Sequence, residues 1–226
     1  MIRLSALVSL AIFLATTAVA STIPPSLCER DFCFDDRIFT IGEFGGRTYV
    51  HVDYEFGDEA TFFEAATAAE SMSVGSAPGD LVDILSSNDQ AEVENVVSAF
   101  GLSSDIWIGL FDADGMPIWQ WTTGAASFYS NWAFSEPDLT SNICAVIDPD
   151  LGGEWESESC TNTNNYLVEF DADIMLGTTV DLGLGFEIEF TRDGWTPVVH
   201  PIPLPGAAFL MIAGFASLAA VRRAKR

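Results

Sequence analysis

Five of the six tryptophans in this 226-residue chain lie between Trp107 and Trp155. They are Trp107, Trp119, Trp121, Trp132 and Trp155, and the stretch that holds them runs on to Glu169. A large aromatic side chain buries more area than most residues and dominates the energetics of a core. Five in one window mark the hub of a core. The apolar runs WIGL, IWQW, ICAVI and YLVEF are short and separated by Gly, Asn, Asp and Pro, which predicts strands joined by turns. A region with so little helix needs a staple. Cys144 and Cys160 offer one, worth roughly 3 kcal/mol for a loop of this size.

The length allows one domain plus appendages. The formal net charge is −24, from 9 basic and 33 acidic residues. All 33 acids fall between residues 21 and 200, where only 4 basic residues accompany them, a net −29. Such a surface repels nucleic acid and anionic lipid, which excludes both as partners. It attracts divalent cations and suits a salty medium. Solubility alone is the plainer reading of the same acidity.

Both ends read as addresses. Arg3 precedes the apolar run Leu4 to Ala15, and Ala18-Val19-Ala20 follows. A charged start, an apolar middle and a small-x-small end predict a secretory signal peptide over residues 1–20, with Ser21 as the new N-terminus. The alternative is a retained transmembrane anchor, for which the run is short. At the other end, Pro201-Ile202-Pro203-Leu204-Pro205 precedes the apolar Gly206 to Val221 and a basic end from Arg222 to Arg226. As a helix, this apolar segment spans about 24 Å, short of the roughly 30 Å hydrocarbon core. The basic end is expected to stay cytoplasmic. The tail resembles the bacterial exosortase sorting tails of the PEP-CTERM type, in their Pro-Leu-Pro-Gly/Ala variant. That resemblance implies a Gram-negative bacterium, transient anchoring in the inner membrane, and removal of the tail by an exosortase-type processing protease. The alternative is a plain tail anchor that stays.

Between the ends, Cys28 and Cys33 sit in a Pro-containing, acidic lead-in. An exported chain with four cysteines predicts two bridges. Cys28 with Cys33 and Cys144 with Cys160 is the local choice among three connectivities. A metal site at Cys28 and Cys33 is the alternative, though no His or further Cys lies nearby. Arg37 to Glu55 reads as strands around a Gly45-Gly46 turn, with Tyr49, His51 and Asp53 alternating against Val50, Val52 and Tyr54. A helix is predicted over Asp58 to Ser73, with Phe62, Ala65, Ala66, Ala69 and Met72 on one face. Gly75 to Gly79 ends it, and Leu81 to Leu85 reads as a short buried strand or turn. Ser87 followed by Gln90 predicts a capping box for a second helix. Its inner face carries Val93, Val96, Val97 and Phe100, and Gly101 closes it. Val180 to Phe190 alternates and suggests a strand or hairpin.

The order WIGL, W-x-W with T-x-G nearby, NW, Glu-Pro-Asp, Cys, W-x-x-x-x-Cys and YLVE resembles the C-type lectin-like domain, over about Tyr49 to Glu169. The resemblance implies an α+β fold, two helices packed on a small twisted antiparallel sheet with a long loop region. Family members usually carry a second disulfide from the first helix to the last strand. Here the aligned positions are Ala69 and Val168, so that bridge is missing as a pair. The tryptophan core must then compensate.

Calcium takes six to eight hard oxygen ligands. In sugar-binding members of the family, a cis-proline turn holds two flanking side chains outward as calcium ligands, and vicinal sugar hydroxyls complete the shell. Here that turn is Glu136-Pro137-Asp138. Family members with Glu-Pro-Asn tend to bind mannose-type sugars and those with Gln-Pro-Asp galactose-type, so this hybrid leaves the sugar class open. Asn142 aligns with a further ligand position where Glu is usual. Glu156 and Ser157 align with the family's Asn-Asp pair; Glu156 can coordinate, and Ser157 is a poor ligand. The loop from Glu136 to Cys144 is also about two residues shorter than usual. Glu136, Asp138, Asn142 and Glu156 are thus the candidate carbohydrate and calcium ligands. A structural calcium drawing on Asp148, Asp150 or Glu154 is a lesser candidate. Against both stands a plain surface turn on a scaffold with another purpose, because a fold does not dictate a function.

Trp107, Trp132 and Trp155 are expected in the core. Trp119 and Trp121, two apart on one strand face, are candidates for stacking on sugar rings. Catalysis has little support: His51 lies on a predicted strand, His200 lies beside the tail, and acid pairs such as Asp112 and Asp114 are common in so acidic a chain. The expected layout is a signal peptide (1–20), a lead-in with a local disulfide (21–48), the lectin-like domain (49–170), a strand-like extension and linker (171–200) and the sorting tail (201–226). The expected function is non-enzymatic: an exported, surface- or matrix-associated protein that binds a glycan or exopolysaccharide, calcium-assisted. A protein-binding or structural matrix component on the same scaffold is the alternative.

Overall fold

The computed structural model describes residues 21–22, 37–54, 59–112, 118–126, 128–138, 143–183 and 185–198. The expected signal peptide, the Cys28–Cys33 pair, Asp114, Asn142, His200 and the sorting tail lie outside the described residues.

Gly45 and Gly46 have φ of 58° and 85°, a left-handed pair that closes a tight hairpin. The hairpin joins β2 (Arg37–Phe44) to β3 (Arg47–Tyr54), with a two-residue β1 (Ser21–Thr22) on its outer edge. The chain continues through β4 (Ala60–Thr61), α1 (Phe62–Glu70), β5 (Ser73–Val74), β6 (Ala77–Pro78), β7 (Asp80–Leu81) and α2 (Ser87–Phe100). Then follow β8 (Ile106–Asp112), β9 (Trp119–Trp121), β10 (Cys144–Asp148), β11 (Glu154–Glu158) and β12 (Thr163–Phe170). Last come β13 (Thr179–Asp181), β14 (Glu187–Thr191) and β15 (Gly194–Pro197). The main sheet runs β1-β2-β3-β12-β8-β10-β11, and β12 lies parallel to β8 and antiparallel to β3. The fold is α+β.

Both faces of the central strands are covered, which is why they read as nearly continuous apolar runs. On one face, Val50, Val52, Trp107, Val146, Tyr166 and Val168 pack with Phe62, Ala65 and Ala69 of α1. On the other, Tyr49, Ile106, Ile108, Ala145, Ile147 and Leu167 pack with Val93, Val96 and Val97 of α2. Trp107 is fully buried and its Nε1 donates to the Ala60 carbonyl at 2.9 Å. Cys144 and Cys160 form the expected disulfide, with Cα atoms 5.1 Å apart.

The helices begin at places different from those expected. α1 starts at Phe62 rather than Asp58, because Ala60 and Thr61 pair with Asn164 and Thr163 as strand residues. Thr61 then forms a capping box with Glu64. For α2 the cap is Ser86, whose Oγ accepts from the Asp89 amide, and not Ser87 with Gln90. Gln90 is buried and committed to the core instead. Gly101 ends α2 in the left-handed region, φ 69°, as expected.

Residues beyond Phe170 share the core. β13 pairs with β5, joining the five-stranded sheet β15-β14-β13-β5-β6. Val180, Leu182 and Ile188 are buried against the same cluster as Ala69 and Met72. Ala69 and Val168, where the family bridge would sit, are both fully buried. A Cβ on Gly79 would lie 2.6 Å from Phe170 Cε1, 2.8 Å from the Ala69 carbonyl oxygen and 2.9 Å from Val168 Cγ1. The end of α1, the β6–β7 link and β12 thus close on one point. Gly79→Ala is expected to lower stability by about 1–3 kcal/mol through overpacking. An unchanged urea midpoint would show that this closure is looser than described.

Candidate functional site

Trp155 organises the loop region. Its backbone N–H donates to the Asn131 carbonyl at 2.8 Å, and its carbonyl accepts from Ala133 at 2.8 Å. This brackets Trp132 beside β11 and launches the chain into the turn 136–138. Ser135 there has φ of 73° and the Glu136–Pro137 bond is cis. Glu136 is half-buried, and Asp138 is exposed.

The turn is clasped to β11 by one serine. Glu136 Oε2 accepts from Ser157 Oγ at 2.5 Å, from the Ser157 amide at 3.1 Å and from the Asp138 amide at 2.9 Å. Ser157 Oγ in turn accepts from the Asp138 amide at 2.8 Å. Ser157 is buried, because β11 alternates: Trp155 and Ser157 point inward, while Glu154, Glu156 and Glu158 line the more open face. The residue that looked like a lost ligand in the sequence is therefore the partner of the carboxylate it would have joined.

Acids crowd the outer side of β10 and β11. Burial, then Asp148, Glu158, Glu156 and Asp150 push Asp105 up to about 6. Burial, then Asp148, Glu136 and Glu158 raise Glu156. The donor chemistry suits calcium, but the arrangement of the described residues does not provide its shell. One oxygen of Glu136 is already held by three donors, and no group of three or more His, Cys, Asp or Glu among the described residues could hold a metal ion. Asn142, the fourth expected ligand, lies outside the described residues.

Of the other candidates, Trp107 and Trp155 are fully buried and Trp121 nearly so, while Trp119 and Trp132 are half-buried. Trp121 is thus core, and Trp119 is the member of the pair that reaches a surface. His51 is buried, and burial pushes it down to about 4, so it is neutral near pH 7. Among the described residues no helix is long and apolar enough to cross a membrane. Sequence reasoning missed Ser157 and Gln90. The period-two alternation of β11 was the available signal for Ser157, which it places on the same inward face as Trp155.

A cavity of about 360 Å³ lies between β3, β7 and β12 and is lined by Arg47, Asp80, Asp83, Asp89 and Glu169 among others. Arg47 reaches Asp89 and Glu169 at 3.5 Å each. Burial is the main cause that pushes Glu169 up to about 7 and Asp83 up to about 6. Thr123 Oγ1 donates to Asp83, and the Asp83 amide donates to Glu169 Oε1 at 3.2 Å.

Residues 64–170 match the family model of the Lectin C-type domain. The chain is 28% identical to human chondrolectin over 144 residues, covering 54% of this chain and 51% of that protein. It is 34% identical to human C-type mannose receptor 2 over 83 residues, covering 36% of this chain and 6% of the receptor. The chain thus spans about half the length of the first relative and a small part of the second. Among solved structures, the EPNH mutant of CEL-I, from Cucumaria echinata, aligns with a TM-score of 0.51 at 23% identity, over 64% of this chain and all of that one. Human lithostathine aligns with a TM-score of 0.50 at 20% identity, over 57% of this chain and 87% of that one. These likenesses are of fold.

Two measurements check this site. Ser157→Ala removes a hydrogen bond to a charged group and is expected to cost about 1.5–3 kcal/mol in urea unfolding; an unaltered midpoint would mean that the clasp does not hold the turn. Glu169 titrates near 7 when folded against 4.5 ordinarily, so the unfolded chain loses this proton first. Glu169 therefore lowers stability as pH rises from about 4.5 to 7. The stability of Glu169→Gln relative to the parent is expected to grow across that window, and a constant difference between pH 4.5 and 7.5 would contradict this.

Proposed function

With residues 64–170 forming a C-type lectin-like domain, we propose that the protein is an exported, non-enzymatic carbohydrate-binding module of the cell surface or matrix. The observation that carries this reading is the turn Glu136–Pro137–Asp138, presented at the surface and clasped by hydrogen bonds to Ser157. A carboxylate offers two oxygens, and vicinal sugar hydroxyls are donors at matching spacing. Asp138, Glu156, the second oxygen of Glu136 and Asn142 of the same loop are the acceptors assigned to the sugar. Names among the relatives support a hexose: one is a mannose receptor. The net charge of −24 favours neutral glycans, exopolysaccharide included, over acidic ones. The signal peptide, the short C-terminal apolar segment and an exosortase-type protease are the proposed means of export, inner-membrane anchoring and release.

In this reading Ser157 holds Glu136 in place by hydrogen bonds, and the turn offers its remaining oxygens to sugar hydroxyls directly, without calcium. The crowding of Asp105 and Glu156 by neighbouring acids favours a second reading, in which calcium assists. Bound near Glu136, Asp138, Asn142 and Glu156, calcium would supply positive charge to that patch and coordination for sugar hydroxyls.

A glycan array probed with the full chain, in millimolar calcium and in EDTA, tests both. Binding in EDTA that weakens at least about tenfold in Glu136→Gln is expected. Binding in calcium only would replace the first reading by the second. Silence in both buffers would sink the carbohydrate assignment and leave a protein-binding or structural role for the scaffold.

A further inference from the structure

Beside β9 lies a groove of about 530 Å³, within the usual range for small-molecule sites. Its aromatic wall is Trp119, Tyr129 and Trp132, and Phe128 stands fully exposed at the edge. Trp119 and Trp132 have ring centroids 4.7 Å apart at 52°. Trp132 and Tyr129 are each buttressed by the edge or face of Trp155, at 5.6 and 5.8 Å. The wall is thus preorganised by the core. Gln120 and Ser130 are exposed and supply neutral polar groups. Every described residue lining the groove is uncharged, in a chain with 33 acidic residues. None of the lining residues belongs to the Glu136–Ser157 clasp.

The fold does not require this exposure. Trp121 and Trp155 already fill the core beneath, and both are buried. Among the described residues, the wholly exposed Phe128 next to half-buried indoles has no partner that would explain the surface it presents. Charge decides what the ligand is. An anionic chain is repelled by the surrounding acids, and a cationic one finds no carboxylate among the described lining residues. A neutral ligand with flat apolar faces and a hydroxylated rim matches both parts of the wall. A pyranose whose ring substituents are all equatorial is such a ligand. Its axial C–H groups, slightly positive, lie against the negative face of an indole, and its hydroxyls reach outward to an amide and a hydroxyl.

We infer that the groove of Trp119, Tyr129 and Trp132 is a second saccharide site, taking a neutral gluco-configured pyranose chain without a metal. It rests on the carbohydrate-binding reading but not on the turn at Glu136. The flat faces of the sugar stack on Trp119, and Gln120 and Ser130 orient its hydroxyls. A second site would let a single domain hold one polysaccharide at two points, raising its hold on a polymer by effective concentration.

Titration calorimetry of the full chain with cellotetraose in EDTA tests the inference. Measurable binding is expected, weakened at least about tenfold in Trp119→Ala and by a smaller factor in Gln120→Ala. Should Trp119→Ala fail to fold, Gln120→Ala and Phe128→Ser, both on exposed side chains, carry the test. No cellotetraose binding, or binding untouched by all these variants, overturns the inference. Loss in Glu136→Gln with retention in Trp119→Ala also overturns it, and leaves the assignment of the turn intact. If the glycan array is silent as well, the carbohydrate reading itself has failed.

Discussion

Trp155 has no access to solvent, yet its indole carries a donor that must be paired. Its Nε1 donates to Gln90 Oε1 at 2.9 Å, and Gln90 Nε2 donates to the Gly153 carbonyl at 2.8 Å. Leaving such a buried donor unpaired costs about 1–3 kcal/mol. Through this one amide, the second helix is tied both to the indole and to the turn before β11. Trp121, Tyr129 and Trp132 all pack edge-to-face around the same ring. The backbone of Trp155 holds Asn131 and Ala133. Helix, sheet and loop region therefore meet at one residue.

The turn at Glu136 and the aromatic groove inherit their positions from there. Ser157 is two residues along the same strand and so shares the inward face of Trp155. From that face it reaches Glu136 and pins the acid-proline-acid turn. The Cys144–Cys160 bridge fixes the far end of the same hairpin, where Cys144 pairs with Glu158. The opposite face of β11 carries Glu154, Glu156 and Glu158. Burial first, and then repulsion from the neighbouring acids, raise the pKa of Asp105 and of Glu156. The turn is held by hydroxyl and amide donors, while the net charge remains uncompensated a few residues away. The aromatic groove, uncharged over its described lining, is the other surface that the indole cluster builds.

Much of this was legible in the sequence, and the failures have physical causes. The indole-rich strands, the Gly45-Gly46 hairpin, the apolar faces of both helices and the Cys144–Cys160 pairing were readable because each is a local pattern. The start of α1 was not, because pairing of Ala60 and Thr61 with β12 overrides the helical period. The cap of α2 slipped by one residue, because Gln90 resembles a capping partner in sequence but is drawn into the core by Trp155. Of the candidate ligands, Glu136, Asp138 and Glu156 were chosen by their order along the chain. That order could not show that Glu136 Oε2 is already occupied by Ser157.

The sequence by itself determined the hub of the core, through composition and local patterning, and pointed to the α+β class and the outward turn through the resemblance that its motif order carries, since all of these are read from residues near one another along the chain. Only the tertiary structure decided that Ser157 closes on Glu136, that Trp119 surfaces while Trp121 is buried, and that the strands after Phe170 complete the core beside α1. Each of these depends on which distant segments the folded chain brings within a few ångströms of one another, and spacing along the chain carries no record of that distance.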